Sequence, residues 1–477
     1  MSPKALSAAV LCAAVVLGLA GLAAPAATAA PAVKSDFNGD GFPDLAVGVP
    51  AGTADGRAKA GFVHVLWGSP DGLGGSSSKI SQASSGIPGT AESGDRFGYA
   101  VQAADLNGDS YADLAVTAPG EQIGSSAGDH QGAAYVLWGS ARGLTSGLTV
   151  AKGVADQQLG KLVTAGDYDG DGDRDLVLSV QGEEGGATVL RPGPLTTQAP
   201  LSLVEGYDFG GARALTSADF DGDGTDDFAV TYKGMESSGT RVRTLASGSW
   251  RTTWDASDSG TALAAGDFNR DGRADLTIGE VQPDPEADGT YCEDRLGGAI
   301  ATVYGAPGST LGGKVTCTTQ SSPYVGGTAE AGDNFGASLV VADLDGSSDD
   351  LLAGASHEAV GSAAEAGAFW ELEAGYDGVF TGPSFSQNST GVAGTAEAGD
   401  HFGAALAAAD YDGAAYGDLV IGAPGENAST SGSTTVSSGG VWYRPSAGDH
   451  PRLPAVSLTP AKLGLDGAPA YGGVLGK

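Results

Sequence analysis

Apolar runs of four to eight residues recur along this chain, each bounded by glycines or by acidic residues. Examples are "YAVQAA" from Tyr99, "DLAVTAPG" from Asp113, "GFVHVLWGS" from Gly61 and "DLVIGAPG" from Asp418. Runs this short between turn signals read as strands buried on both faces. Glycine makes up 80 of 477 residues, a content that argues against long helices and suits short strands joined by tight turns.

The runs are ordered by a repeat. The pattern D-x-[D/N]-x-D-x-x-x-D-apolar occurs in full at Asp36, Asp105, Asp167, Asp219 and Asp267, with decayed copies at Asp343 and Asp410. A glycine corner precedes several copies: Phe97-Gly98, Phe209-Gly210, Phe335-Gly336 and Phe402-Gly403. Three corners follow a shared strap, "GTAESGD" or "GTAEAGD". Each unit of roughly sixty residues has room for four antiparallel strands. Seven such sheets around an axis make an all-β, seven-bladed β-propeller. Its domain is expected over 30–477, with the acidic loops as hairpins leaving the inner strands and the strap bridging one blade to the next.

The loops carry the candidate chemistry. Calcium takes six to eight oxygen ligands in a flexible shell. Oxygens at positions 1, 3, 5 and 9, with a backbone carbonyl at 7, can wrap one ion. The side-chain ligands are then Asp36, Asn38, Asp40 and Asp44 in the first loop, and Asp105, Asn107, Asp109 and Asp113 in the second. Asp167, Asp169, Asp171 and Asp175 form the third set, and Asp219, Asp221, Asp223 and Asp227 the fourth. Asp267, Asn269, Asp271 and Asp275 form the fifth. Position 6 is Gly41, Gly172, Gly224 and Gly272, with Ser110 as the exception, and glycine there permits a sharp turn. An EF-hand needs Glu at position 12 and flanking helices, but position 12 here is aliphatic. About five calcium sites follow. The sixth loop has Ser347 at position 5 and is one residue short, and the seventh has Ala414 at position 5, so both read as bare turns or weak sites.

Charge supports the same reading. The formal net charge is -34, and 26 of the 58 acidic residues are aspartates of the seven loops. Such crowding calls for cations, and so acidic a surface repels nucleic acid and anionic membranes. An apolar run from Ala5 to Ala24 after Lys4, then Ala27-Thr28-Ala29, reads as a secretory signal over 1–29 cleaved near Ala29. No later stretch approaches the length of a membrane span. The expected product is secreted, extracellular and monomeric.

The Phe-Gly corners, the Gly422-Ala423-Pro424 strand with its variants Ala118-Pro119 and Val49-Pro50, and the aspartate loops together resemble FG-GAP repeats. Those repeats build the seven-bladed propeller at the head of integrin α chains. The resemblance implies calcium in the hairpins and a role in adhesion or ligand recognition, with an extracellular protein or glycan as partner. A lectin-like carbohydrate binder is the alternative, and a hydrolase or lyase acting on polysaccharide a more distant one.

No catalytic constellation emerges, and no enzyme is expected. "GSSAG" from Gly124 sits in a Ser/Gly-rich loop rather than on a nucleophile elbow. "GSTLGGKV" from Gly308 has Val315 where a phosphate loop needs Ser or Thr. The histidines form no metal pair at helical spacing, and His130 and His401 read as surface residues. Trp67 and Trp138 are expected between blades. Two further expectations concern closure. Cys292 and Cys317 should pair in an oxidising compartment. The segment "AYGGVLGK", with Tyr471-Gly472 as its corner, should supply the inner strand that the first unit lacks.

Overall fold

In blades 2 to 7 the acidic loop joins the inner strand to the second, and this hairpin is the seed of a blade. In the computed structural model, residues 35–476 are described except 125–129, 197–198, 236, 282–290, 344–345, 347–348, 376–377, 415, 428, 432–433 and 447–453. They belong to one compact unit, Ala32–Lys477. The expected signal over 1–29, and with it Cys12, lies outside the described residues, as does most of the "GSSAG" stretch.

Seven antiparallel sheets follow one another along the chain. Blade 2 shows the plan, with Val101–Ala104 innermost, then Asp113–Ala118, Ala133–Trp138 and Ser146–Lys152. Blade 3 runs from Val163–Gly166 to Ser202–Asp208, blade 4 from Gly211–Ala218 to Ser249–Ala256, and blade 5 from Ala262–Gly266 to Ser309–Thr318. Blade 6 starts at Phe335–Ala342, and its outer strand is split into Phe380–Thr381 and Ser384–Phe385. Blade 7 runs from Ala405–Ala409 to Val456–Leu458 and carries an added hairpin, Ser429–Ser431 with Thr434–Val436.

Blade 1 closes the ring. Its second, third and outer strands are Leu45–Val49, Phe62–Leu66 and Ser77–Ile80, and its inner strand is Val474–Leu475. Val47 pairs with Leu475 and Gly48 with Val474. Tyr471, the expected corner residue, is fully buried, and its hydroxyl lies 2.8 Å from His64 Nδ1.

Small side chains line the axis: the inner strand of blade 7 reads ALAAA and that of blade 5 ALAAG. The second strands are buried along both faces, as are the third strands of blades 1, 2, 5, 6 and 7 over most of their length, whereas those of blades 3 and 4 are partly exposed. Seven clusters of buried apolar side chains follow, one at each interface between neighbouring blades. Trp67 packs into the cluster between blades 1 and 2, and Trp138 into that between blades 2 and 3. The "GSTLGGKV" stretch is a β-hairpin, Ala306 pairing with Ser309 around Gly308. Cys292 and Cys317 are disulfide-bonded, closing a loop that contributes on the order of 3 kcal/mol in the chain-entropy model.

The corners need one correction. Phe97, Phe335 and Phe402 are fully buried, but Phe209 is 63% exposed. Blade 4 begins at Gly211, directly after the outer strand of blade 3 ends at Asp208. That connection is too short to tuck a ring beneath the next blade. Blade 4 thus has no buried corner at Phe209, while blade 3 has one that is not Phe-Gly, Leu159-Gly160: Leu159 is fully buried and donates its N–H to Gln131 O, as Phe97 does to Ala60 O.

Candidate metal centre

The hairpin loops share one geometry. The position 1 carboxylate caps the turn: Asp36 accepts from the N–H groups of Gly39 at 2.7 Å and Gly41 at 2.8 Å. Asp105 does the same for Gly108 and Ser110, and Asp219 for Gly222 and Gly224. The position 6 residue is left-handed in every full loop, including Ser110 at φ 74. Glycine is favoured there, and Ser110 is strained into the same shape. The position 5 carboxylate turns outward and accepts the position 7 N–H, as Asp40 does from Phe42 and Asp271 from Arg273.

Position 9 anchors the loop to the blade. Asp44, Asp113, Asp175, Asp227 and Asp275 are buried to within 1%. One oxygen of Asp113 accepts the Leu106 N–H at 3.0 Å, and the other accepts the N–H of Gly139, just past the third strand, at 2.7 Å. Asp44, Asp175 and Asp275 repeat both bonds. The position 2 side chain is buried in each full loop (Phe37, Leu106, Tyr168, Phe220 and Phe268) and plugs the interface to the neighbouring blade. Burial drives the position 9 acids up: Asp44, Asp113, Asp227 and Asp275 to about 7, and Asp175 to about 6. Neighbouring aspartates add to the rise, and hydrogen bonds to the carboxylate oppose it.

Each loop is therefore a cup, with its floor carboxylate buried and those of positions 3 and 5 toward solvent. In blades 3 and 4, positions 1, 3 and 9 converge: Asp167, Asp169 and Asp175 offer oxygens within 4.8 Å of one another, as do Asp219, Asp221 and Asp227. Asp410, Asp412 and Asp418 of blade 7 converge in the same way. Ala414 removes the outward position 5 carboxylate but not the inner set. Asp418 is pushed up to about 6, again by burial first. In blade 6, Asp350 takes the anchoring place, accepting the Ala374 N–H at 2.9 Å.

The strap builds a second family of buried carboxylates that the sequence pattern did not reveal. Asp95 accepts the Glu92 N–H at 2.6 Å, and Asp333 and Asp400 cap Glu330 and Glu397 likewise. Next to each lies a glutamate from the following blade, held by a glutamine from the preceding one: Gln82 to Glu121 at 2.7 Å, Gln320 to Glu358 at 2.6 Å, and Gln387 to Glu426 at 2.7 Å. Burial pushes Asp95 and Glu358 up to about 7 and Asp400 to about 6. These groups join blades 1 to 2, 5 to 6 and 6 to 7, the three junctions that carry the strap.

A family model of the FG-GAP repeat matches residues 29–66, 97–137 and 259–287. Phosphatidylinositol-glycan-specific phospholipase D of Rattus norvegicus is 36% identical over 156 residues, 32% of this chain and 18% of that protein. The Homo sapiens enzyme is 33% identical over the same length. The match thus spans under a fifth of these curated relatives. Rhamnogalacturonan lyase YesW is similar over 79% of this chain and 69% of its own, at 16% identity and a TM-score of 0.35. Sqt1 of Chaetomium thermophilum is similar over 75% and 85%, at 13% identity and 0.39. Likeness at that level carries no argument about activity. The acidic hairpin and buried second strand recur from blade to blade, and three of them lie in the matched segments: the chain carries FG-GAP repeat segments in blades 1, 2 and 5 of a seven-bladed β-propeller.

Proposed function

We propose that this propeller is a calcium-binding, extracellular ligand-recognition or adhesion module. One observation carries the reading: carboxylates at positions 1, 3 and 9 of the hairpin converge to within 4.8 Å in three separate blades. The donor set is oxygen alone, which suits a hard cation. The side chains at positions 1, 3, 5 and 9 and the position 7 carbonyl would hold the ion, which supplies the positive charge that lets the carboxylates stay ionised together. Asp410, Asp412 and Asp418 extend the reading to blade 7. The partial match to a much longer phospholipase supports a propeller as a module within larger proteins, and no phospholipase activity is assigned to this chain. Among the described residues no helix is long and apolar enough to cross a membrane. The ligand is proposed to be an extracellular protein or glycan.

Calcium binding only to the folded state stabilises it by about 2.7 kcal/mol per site at a hundredfold excess over Kd. Chelation is therefore expected to lower the melting temperature by many degrees. Magnesium should restore it poorly, because magnesium demands a tighter octahedron. Calorimetry that detects no calcium binding to the intact chain would sink the reading.

A further inference from the structure

Calcium is not the only cation for which the ring offers ligands. On the face opposite the aspartate hairpins, where chains enter the inner strands, His357, Glu365 and His401 come together. A nitrogen from each ring and a carboxylate oxygen lie within 4.8 Å of one another. The ring centroids of His357 and His401 are 4.9 Å apart, with planes at 66°.

Three elements create the cluster. His401 precedes the Phe402-Gly403 corner of blade 7 in the left-handed region, φ 56, and its N–H is bonded to Glu365 O at 3.2 Å. Glu365, also left-handed at φ 55, lies in the blade 6 segment before Ala368–Ala374. His357 follows the second strand of blade 6, its N–H bonded to Asp333 O at 3.1 Å. Both rings are half-buried and Glu365 is exposed.

The second nitrogen of each ring is already used. His401 Nδ1 lies 3.1 Å from the Ser356 carbonyl oxygen. A carbonyl only accepts, so Nδ1 carries the proton and Nε2 keeps its lone pair. A backbone carbonyl on the far nitrogen is the arrangement that fixes the tautomer of a metal-ligating histidine. His357 Nδ1 is occupied by the Asn334 side-chain amide at 2.5 Å and the Ser356 hydroxyl at 3.3 Å. The Asn334 group facing Nδ1 is its Nδ2, which only donates, so coordination through His357 Nε2 requires that amide to turn and offer its oxygen to Nδ1.

We propose that His357, His401 and Glu365 form a site for a borderline divalent cation of the zinc type, linking blades 6 and 7. Imidazole nitrogen selects zinc, nickel or copper over calcium, which prefers oxygen. Two histidines and one carboxylate supply three of four tetrahedral positions, with the fourth open to water. Zinc needs ligand atoms about 2.0–2.1 Å from the metal, so the three atoms must draw closer. The exposed Glu365 side chain has the freedom to do so.

The test uses the full chain in excess calcium, so that the hairpins do not compete. Zinc titration by calorimetry is expected to show one equivalent bound, and cobalt is expected to give visible d–d bands at the same stoichiometry. His357→Ala and His401→Ala should each remove both signals, Glu365→Gln should weaken zinc binding at least tenfold, and His130→Ala should change neither. Calcium stoichiometry and near-ultraviolet circular dichroism report folding. If His401→Ala fails to fold, His357→Gln with Glu365→Gln replaces it. No zinc uptake by the wild type in excess calcium, or uptake that survives loss of His357, would overturn the assignment.

Discussion

Two families of buried carboxylates sit in this ring, the hairpin aspartates and the strap acids at the blade junctions. Asp44 and Asp95 are both pushed up to about 7 by burial. Their surroundings differ. In the hairpin, both oxygens of Asp44 accept backbone N–H bonds, and the neighbouring aspartates grade outward into solvent. At the junction, Asp95 accepts one N–H, and Glu121 is enclosed by Gln82 and Tyr135. One family is a cup with a rim, and the other is a closed seam. A raised acid is therefore no sign of a cation site by itself, and the graded exposure of its neighbours is what separates the two families.

The largest effect should come from the floor of the cup. Asp175→Ala strands the buried N–H of Tyr168 and the half-buried N–H of Gly193. A fully buried unsatisfied donor costs ~1–3 kcal/mol and the half-buried one no more than that, so a loss of about 1–6 kcal/mol is expected in urea unfolding even with chelator present. Asp171→Ala, on the exposed rim, should stay within about 0.5 kcal/mol in chelator and lose stability only relative to the calcium-loaded protein. Equal costs for both variants in chelator would erase the distinction between anchor and ligand.

A smaller effect separates the seventh loop from the third. If the inner set of three carboxylates suffices, Asp412→Ala should remove one calcium from the stoichiometry, as Asp169→Ala does, with weaker affinity at the site lacking position 5. Unchanged stoichiometry for Asp412→Ala would show that position 5 is required. The smallest effect belongs to the seam. A carboxyl whose folded pKa is raised stabilises the fold when protonated, and that contribution is lost as pH rises from its unfolded value through about 7 for Asp95. In saturating calcium, Asp95→Asn should keep the bond to the Glu92 N–H while removing one of the facing acids. Its melting temperature should exceed the wild type at about pH 8 and converge with it below about pH 4. A pH-independent difference would place the effect in packing instead.

What was legible in the sequence was whatever repeats locally. Loop, second strand and inner-strand alanines lie within about twenty residues of one another and recur in six blades, so the blades and hairpins could be read directly. The pairing of Val474–Leu475 with blade 1 was also legible, because one unit lacked an inner strand and another segment carried a spare corner. Phe209-Gly210 misled because the dipeptide was right while the connection was too short to bury it. Leu159 was missed for the converse reason. The seams escaped because Gln82 and Glu121 lie 39 residues apart, and only the packing of one blade on the next joins them. His357 and His401 escaped similarly: no spacing along a single element links them.

The pairing of Val474–Leu475 with Leu45–Val49 makes the ring a clasp whose two halves are made far apart in time. Blade 1 is synthesised near the start, yet its inner edge stays bare until the clasp segment emerges. Blades 2 to 7 can stack in order meanwhile, each on a finished neighbour, while the blade 1 edge remains a template for any passing strand. A copy of the clasp from another molecule would fit that edge equally well. Fidelity of closure thus rests on a short strand finding its own first blade before a neighbour's does.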